Sequence, residues 1–194
     1  NPALLKRFGV EPGQYFLQIT RFEPENNPLL TIQAFKAART GKKLVLVGGV
    51  PYESAYSRQI KAEANEDIIL PDFLYEKQTL NELWTNCLAY IHGNEVGGTN
   101  PALLQTMGSG CFTIAVDVPF SHDVLKDCGV YYEKTVESLA AQIKWAVQNM
   151  HSLSSYKSRA VERIHNHYTW EKVSDGYEQM FEELLAGKYP WRFF

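Results

Sequence analysis

The chain has 194 residues, of which 45% are hydrophobic and 21% are charged, and its formal net charge at pH 7 is −3. This length favours one large domain over two small ones, and the composition is that of an ordinary globular protein. The basic residues are neither abundant nor clustered, which argues against a nucleic-acid partner.

Short apolar runs that do not alternate with polar residues recur along the chain, and this pattern is typical of strands buried on both faces. Six such runs predict strands at 15–19, 44–47, 68–70, 87–91, 111–116 and 130–132. Segments with helical spacing lie between them, at 28–39, 52–64, 77–86, 101–107 and 120–125. The alternation predicts α/β architecture: a single Rossmann-like, doubly wound parallel sheet.

The last third of the chain has no strand pattern. Residues 135–150, 153–167 and 169–186 predict three consecutive helices, with Thr135 and Thr169 as N-caps. The tail at 189–194 carries four aromatic residues, so we expect it to rest on this domain or on another.

The cysteines Cys87, Cys111 and Cys128 each lie in or beside an apolar run. This placement indicates buried thiols in a reducing compartment rather than disulfides. No apolar run approaches the length of a membrane span, and the first residues lack the apolar core of a signal peptide. We therefore expect a cytoplasmic protein.

Sheets of this kind bind ligands outside the carboxyl ends of their strands, which nominates the loops at 20–27, 48–52, 71–76 and 93–101. In the first loop, the fork of Arg21 can bind phosphate oxygens, or it can pair with Glu23 or Glu25 at the surface. In the third loop, Phe73 and Leu74 beside Asp72 can flank a flat base, although core packing is the commoner role of such a pair. 

Residues 92–101, which include the fourth loop, read HGNEVGGTNP, and this pattern predicts a strand end, a glycine turn and a helix start. Thr99 or Asn100 can cap the helix, and the amides of Gly97, Gly98 and Thr99 can bind an anion at its N-terminus. We expect Gly98 to let the backbone approach a phosphate. An ordinary capped turn explains the same residues equally well.

Signatures of several enzyme classes are missing. There is no Walker lysine, no G-x-G-x-x-G after the first strand, and the run at 108–110 does not complete G-x-S-x-G. His92 and His122 stand apart from any cysteine or carboxylate with metal-ligand spacing, so we expect no metal. The loops at the carboxyl ends of the strands, with one arginine and free amides, suit diphosphate binding better than nucleophilic attack.

Over residues 5–185 the chain resembles the C-terminal, donor-binding domain of GT-B glycosyltransferases in the large retaining group called family 4. It is similar to a bacterial branch that includes rhamnosyltransferases of surface-polysaccharide assembly. The motifs that carry the resemblance are RFEPENN at 21–27, VGG at 47–49, YIHG at 90–93, VGGTNP at 96–101 and the helix at 102–107.

The resemblance implies that the first loop supplies an arginine and a lysine to the donor diphosphate. Arg21 matches the arginine, and Asn26 stands at the lysine position. The family's glutamates for the donor sugar and for the ribose fall at Gly97 and Gln105, so we expect Glu95 to serve the sugar and Gln105 to bond the ribose, without a charge-assisted bond. The residues expected to bind the diphosphate are Arg21, Asn26, Gly97, Gly98, Thr99 and Asn100. Those expected to bind the nucleobase are Asp72, Phe73 and Leu74.

The resemblance also implies an enzyme of two domains, with the active site in the cleft between them. Residues 1–13 resemble an interdomain linker, residues 14–188 the nucleotide-sugar domain, and the N-terminal acceptor-binding half is absent from the sequence. We expect a hexosyltransferase without a cofactor that transfers a sugar, with rhamnose as one candidate, to a glycan or lipid-linked acceptor. Membrane contact would involve only the missing half, and this domain alone should bind donor weakly and catalyse little.

Two alternatives stay open. A GT-B-fold epimerase or phosphorylase shares the architecture, but no lysine lies in a recognisable pyridoxal site for a phosphorylase. A non-catalytic pseudo-glycosyltransferase that holds another subunit is favoured slightly by Asn26, Gly97 and Gln105. A titration with donor would separate this partner from the transferase.

Overall fold

A computed structural model describes residues 2–188, and the predicted aromatic tail at 189–194 lies outside the described residues. The strands are β1 (Tyr15–Ile19), β2 (Lys43–Val47), β3 (Ile68–Ile69), β4 (Ala89–His92), β5 (Thr113–Val116) and β6 (Gly129–Tyr132). They form one six-stranded sheet in the order β3-β2-β1-β4-β5-β6. Every neighbouring pair is parallel, so the predicted doubly wound sheet is confirmed.

The helices lie between and after the strands, largely where helical spacing predicts them. They are α1 (Pro2–Lys6), α2 (Pro28–Ala38), α3 (Ala55–Lys61), α4 (Lys77–Asn86), α5 (Pro101–Gly108), α6 (Pro119–Leu125), α7 (Val136–Gln148), α8 (Leu153–His167) and α9 (Trp170–Leu185). The hydroxyls of Thr135 and Thr169 accept hydrogen bonds from the amides of Ser138 and Lys172, which confirms both N-caps.

The strands are buried on both faces because successive side chains point to opposite sides of the sheet. Phe16 on β1 belongs to a core cluster with residues of α2 and α7, such as Ile32 and Leu139. Tyr15 and Leu17 belong to a second cluster that includes residues of α4. The three cysteines are buried and unpaired, as predicted.

The segment expected to be an interdomain linker contains α1, and it packs on the domain through Leu5 and Val10, which are buried in the second core cluster. Its role as a linker stays a prediction. Helix α3 begins at Ala55 rather than three residues earlier. The reason is a capping box in which Ser54 accepts from the amide of Ser57 and donates its own amide to the Ser57 hydroxyl.

Helix α9 has no buried residue. It exposes Trp170, Val173, Tyr177 and Phe181 along one stripe, at spacings of three and four residues. Among residues 2–188, no helix has both the length and the apolar character needed to cross a bilayer.

Candidate functional site

Strands β1 and β4 lie side by side at the centre of the sheet, and the strand order runs outward from them in opposite directions. A doubly wound sheet binds ligands at this topological switch point, in the crevice outside the carboxyl ends of the two strands. The loops at 20–27 and 93–100 flank the crevice, which we call the switch-point crevice. They contain most of the predicted site residues.

Hydrogen bonds join these two loops directly. The side-chain amide of Asn27 donates to the carbonyl oxygen of Gly93 at 2.9 Å and to Oε1 of Glu95 at 2.6 Å. The backbone amide of Glu95 donates to the carbonyl oxygen of Glu25 at 3.0 Å. The first half of the glycine loop is therefore held in place against the end of β1.

Asn26 lies beneath this junction and is only 3% exposed. Its Nδ2 donates to the carbonyl oxygen of Arg21 at 3.1 Å, and its Oδ1 accepts from Nδ2 of Asn94 at 2.7 Å. A Cβ on Gly93 would lie 2.5 Å from the Asn26 carbonyl oxygen, so the close approach requires glycine. Both ends of the Asn26 amide thus bond within the protein, and its contact with the diphosphate stays a prediction.

Arg21 is exposed at the end of β1. Within residues 2–188 its guanidinium makes no ion pair, so the alternative pairing with Glu23 or Glu25 is not formed. Glu23 instead accepts a hydrogen bond from the hydroxyl of Tyr52. The charge of Arg21 is therefore available to an anion in the crevice.

The glycine turn presents free backbone donors on the other side of the crevice. No hydrogen bond within residues 2–188 uses the amide of Gly97, Gly98 or Thr99. Gly97 has a φ of 124°, whereas Gly98 has no positive φ, and no atom lies within 4 Å of a Cβ built at either residue. Asn100 is the N-cap of α5, since its Oδ1 accepts from the amides of Ala102 and Leu103 at 2.9 and 3.4 Å.

The predicted base-binding residues do not share one environment. The side chain of Phe73 is 42% exposed and its ring stacks on that of Tyr75, with ring centroids 6.3 Å apart; a Cβ on Gly49 would lie 3.2 Å from the Phe73 ring. Asp72 is exposed as well, but Leu74 packs against the second core cluster. Sequence reasoning missed Tyr75, which lies two residues after Phe73 and stacks its ring on the Phe73 ring.

Residues 6–163 match the family described as glycosyl transferases group 1. The chain belongs to this family. No curated protein matches the sequence.

Solved glycosyltransferase structures share the fold of this group 1 domain. Anabaena Alr3699/HepE in complex with UDP and glucose has a TM-score of 0.82 and 13% identity, over 93% of this chain and 51% of that one. A Rickettsia africae glycosyltransferase has a TM-score of 0.83 and 12% identity, over 94% and 51%. The pneumococcal O-GlcNAc transferase GtfA, in complex with UDP and GlcNAc, has a TM-score of 0.73 and 16% identity, over 89% and 36%.

The domain thus spans about a third to a half of the length of these solved structures. Its six-stranded sheet with flanking helices matches one half of a GT-B glycosyltransferase. Identities this low show the fold, while the roles of individual residues depend on the geometry of this domain.

Two further residues that are predicted to bind the donor, Glu95 and Gln105, flank the glycine turn. Oε1 of Glu95 accepts from Nζ of Lys134 at 2.5 Å as well as from Asn27. Burial opposes the charge of this carboxyl, but the bonds from Lys134 and Asn27 outweigh it and hold the pKa of Glu95 below its usual range. Gln105 is exposed on α5, with a side chain that makes no hydrogen bond within residues 2–188.

His92 ends β4 immediately before the loop and is 2% exposed. Its Nδ1 has no hydrogen-bond partner in the described part of the chain, and its ring stacks on Tyr90. Burial lowers the pKa of His92 to about 4, so the imidazole is neutral near pH 7. His92 is therefore a buried, neutral residue at the end of β4, next to the loop of the crevice.

Proposed function

We propose that this domain binds the nucleotide-sugar donor of a glycosyltransferase, with the donor diphosphate in the switch-point crevice. One observation carries the proposal: the unpaired guanidinium of Arg21 and three unbonded amides, of Gly97, Gly98 and Thr99, lie on the two loops that flank the crevice. Diphosphate oxygens are acceptors that such donors bind.

The comparisons support a nucleotide-sugar as the ligand. HepE was solved with UDP and glucose, and GtfA with UDP and GlcNAc. Both align with this chain over most of its length, and the chain belongs to a glycosyltransferase family. We extend the ligand class of these proteins to the present domain.

In the transfer step, the nucleoside diphosphate is the leaving group and gains negative charge as the bond to the sugar breaks. Arg21 and the turn amides would stabilise that charge, and one such preorganised donor contributes about 3 kcal/mol in other enzymes. Asn26 positions the loop from below instead of touching the diphosphate. Gln105 and the exposed ring of Phe73 are available for the ribose and the base.

The finer assignments extend this proposal. The acceptor, a glycan or lipid-linked sugar, would bind an N-terminal half, which is consistent with solved relatives about twice as long as this chain. We propose a retaining transfer in surface-polysaccharide synthesis, with rhamnose among the candidate sugars, because the VGGTNP turn resembles that bacterial branch.

Thermal unfolding with nucleotides tests the proposal. UDP, dTDP or GDP at tenfold over its Kd should stabilise the domain by about 1.4 kcal/mol, or about 3 to 6 °C in Tm. Uridine alone should shift Tm much less, because it lacks the diphosphate that the crevice binds. The absence of any shift with all three diphosphates at millimolar concentration would contradict the proposal.

A non-catalytic partner of another glycosyltransferase is the second candidate. The observation that favours it is the loss of charge at the family's ligand positions, where Asn26 is buried and Gly97 and Gln105 stand in place of glutamates. Calorimetric titration with a nucleotide-sugar separates the two, since a subunit that only holds another chain has no need to bind donor.

A further inference from the structure

A charged pair connects two loops at the carboxyl edge of the sheet. Nζ of Lys134, in the loop after β6, lies 2.5 Å from Oε1 of Glu95, in the loop after β4. Strand β5 separates these two strands, so the pair extends across the end of β5. The Lys134 side chain is 52% exposed and that of Glu95 is 24% exposed, so both remain accessible to a ligand.

Both members of the pair are held by their own loops. Glu95 accepts from buried Asn27 at 2.6 Å and donates its amide to the carbonyl oxygen of Glu25. Lys134 lies between Glu133, whose amide donates to the Ser138 hydroxyl, and the N-cap residue of α7. Exposed ion pairs with mobile side chains contribute little, whereas this pair has a supported carboxylate and an anchored lysine backbone.

The pair leaves hydrogen-bonding groups unused. Oε2 of Glu95 has no partner within residues 2–188, and the ammonium of Lys134 bonds only Glu95 there. One acceptor and two donors therefore remain side by side. A sugar hydroxyl both donates and accepts, so adjacent hydroxyls match this arrangement. The phosphates of a nucleotide-sugar only accept hydrogen bonds, so they cannot donate to Oε2 of Glu95.

The position of the pair relative to the turn agrees with this chemistry. Glu95 precedes Gly97 by two residues, which places their Cα atoms within about 7 Å of each other. In a nucleotide-sugar the sugar is bonded to the distal phosphate. A donor whose diphosphate contacts the turn amides therefore has its sugar within reach of the pair.

We propose that Lys134 is a specificity-determining residue, which together with Glu95 binds the hydroxyls of the donor sugar. The inference rests on the proposed function, since it presumes that the crevice holds the diphosphate. It adds a loop that carries no motif in the sequence. In this proposal, Arg21 and the amides bind the diphosphate, while Lys134 and Glu95 bind the hydroxyls of the sugar.

The test compares Lys134→Ala and Glu95→Gln with the parent chain. Lys36→Ala is a matched control, because Lys36 pairs with Glu63 at similar exposure, at the opposite end of α2 from the crevice. Calorimetry measures Kd for UDP, UDP-glucose, UDP-N-acetylglucosamine, dTDP and dTDP-rhamnose. Saturation-transfer difference NMR then compares the sugar protons with the base protons of the ligand that binds.

We expect Lys134→Ala to change the Kd for the nucleoside diphosphate by less than about twofold. Loss of a charge-assisted bond should weaken nucleotide-sugar binding about tenfold wherever the sugar adds affinity, and should abolish saturation of the sugar protons in every case. Glu95→Gln should act in the same direction, and Lys36→Ala should match the parent.

Two results would overturn the inference while leaving the proposed function intact. Equal saturation of the sugar protons in the parent and in Lys134→Ala would show that the pair does not contact the sugar. Equal weakening of diphosphate and nucleotide-sugar would show that the pair only holds the turn. A parent chain that binds no nucleotide at all would instead refute the proposed function.

Discussion

The buried imidazole of His92 makes the free energy of unfolding of the domain depend on pH. In the folded domain burial lowers the pKa of His92 from 6.5 to about 4. The unfolded chain therefore binds the proton first, and stability falls as the pH drops below 6.5 and levels off below about 4. The loss attributable to His92 is about 2 kcal/mol at pH 5 and about 3 kcal/mol at pH 4.

Urea unfolding of the parent and of His92→Phe, near pH 7.5 and pH 5, measures the loss of stability that is due to His92. Phenylalanine keeps a ring that can stack on Tyr90. The substitution leaves no partner of Nδ1 unpaired, because Nδ1 has no hydrogen-bond partner in the described chain. Carboxylates titrate equally in both proteins, so the difference between the two pH dependences isolates His92. With an m-value of about 2 kcal/mol/M, the parent midpoint should fall by about 1 M more than that of the variant.

A parent and a variant that lose equal stability between these pH values would refute the reasoning. That result would mean that His92 is solvated or bonded in the folded protein, in conflict with its 2% exposure. Any change in absolute stability from the larger ring does not affect the comparison, because it is present at both pH values.

Three further predictions concern the switch-point crevice. Arg21→Ala should weaken nucleoside diphosphate binding about tenfold or more by calorimetry with Tm unchanged, and unaltered affinity would make Arg21 an ordinary surface residue. Gly98→Val should change folding stability by about 0.5 kcal/mol or less, because no atom lies near its Cβ, yet abolish diphosphate binding. Gly176→Val, equally open on α9, should bind like the parent; if folded Gly98→Val does too, the diphosphate lies elsewhere. Gly93→Ala should lower stability by about 1–3 kcal/mol, since its Cβ would lie 2.5 Å from the Asn26 carbonyl oxygen, and an unchanged Tm would contradict that clash.

The fold was predictable because its signals are local and repeated. Runs without polar alternation predicted all six strands, and the spacing at 77–86 and 153–167 matches α4 and α8 residue for residue. Helix α1 was missed because five residues are too few to show a periodicity. The early start predicted for α3 shows that a cap can decide a boundary that spacing alone leaves open.

The site was predictable as a set of loops but not as a set of side-chain directions. The carboxyl-edge rule located both loops of the crevice, since strand order alone determines where they meet. Whether Asn26 faces the ligand or the core depends on its hydrogen bonds to the Arg21 carbonyl oxygen and to Nδ2 of Asn94, which no sequence pattern shows. Lys134 carries no motif, and only the folded sheet shows that its loop reaches Glu95 across the end of β5.

Under the proposed function, the buried side-chain amides of Asn26 and Asn27 explain how the diphosphate site can work with one cation, where the resemblance implies two. A lysine at the position of Asn26 would add charge on a flexible stem, whereas Asn26 and Asn27 bond the two loops to each other. Donors that are already oriented stabilise developing charge without reorganising at the moment of reaction, and backbone amides act most strongly when their loop is fixed. The charge of Glu95 is compensated by Lys134 and does not oppose the diphosphate. In the proposed site, one guanidinium and the unbonded amides of the glycine turn would therefore stabilise the diphosphate without a second cation.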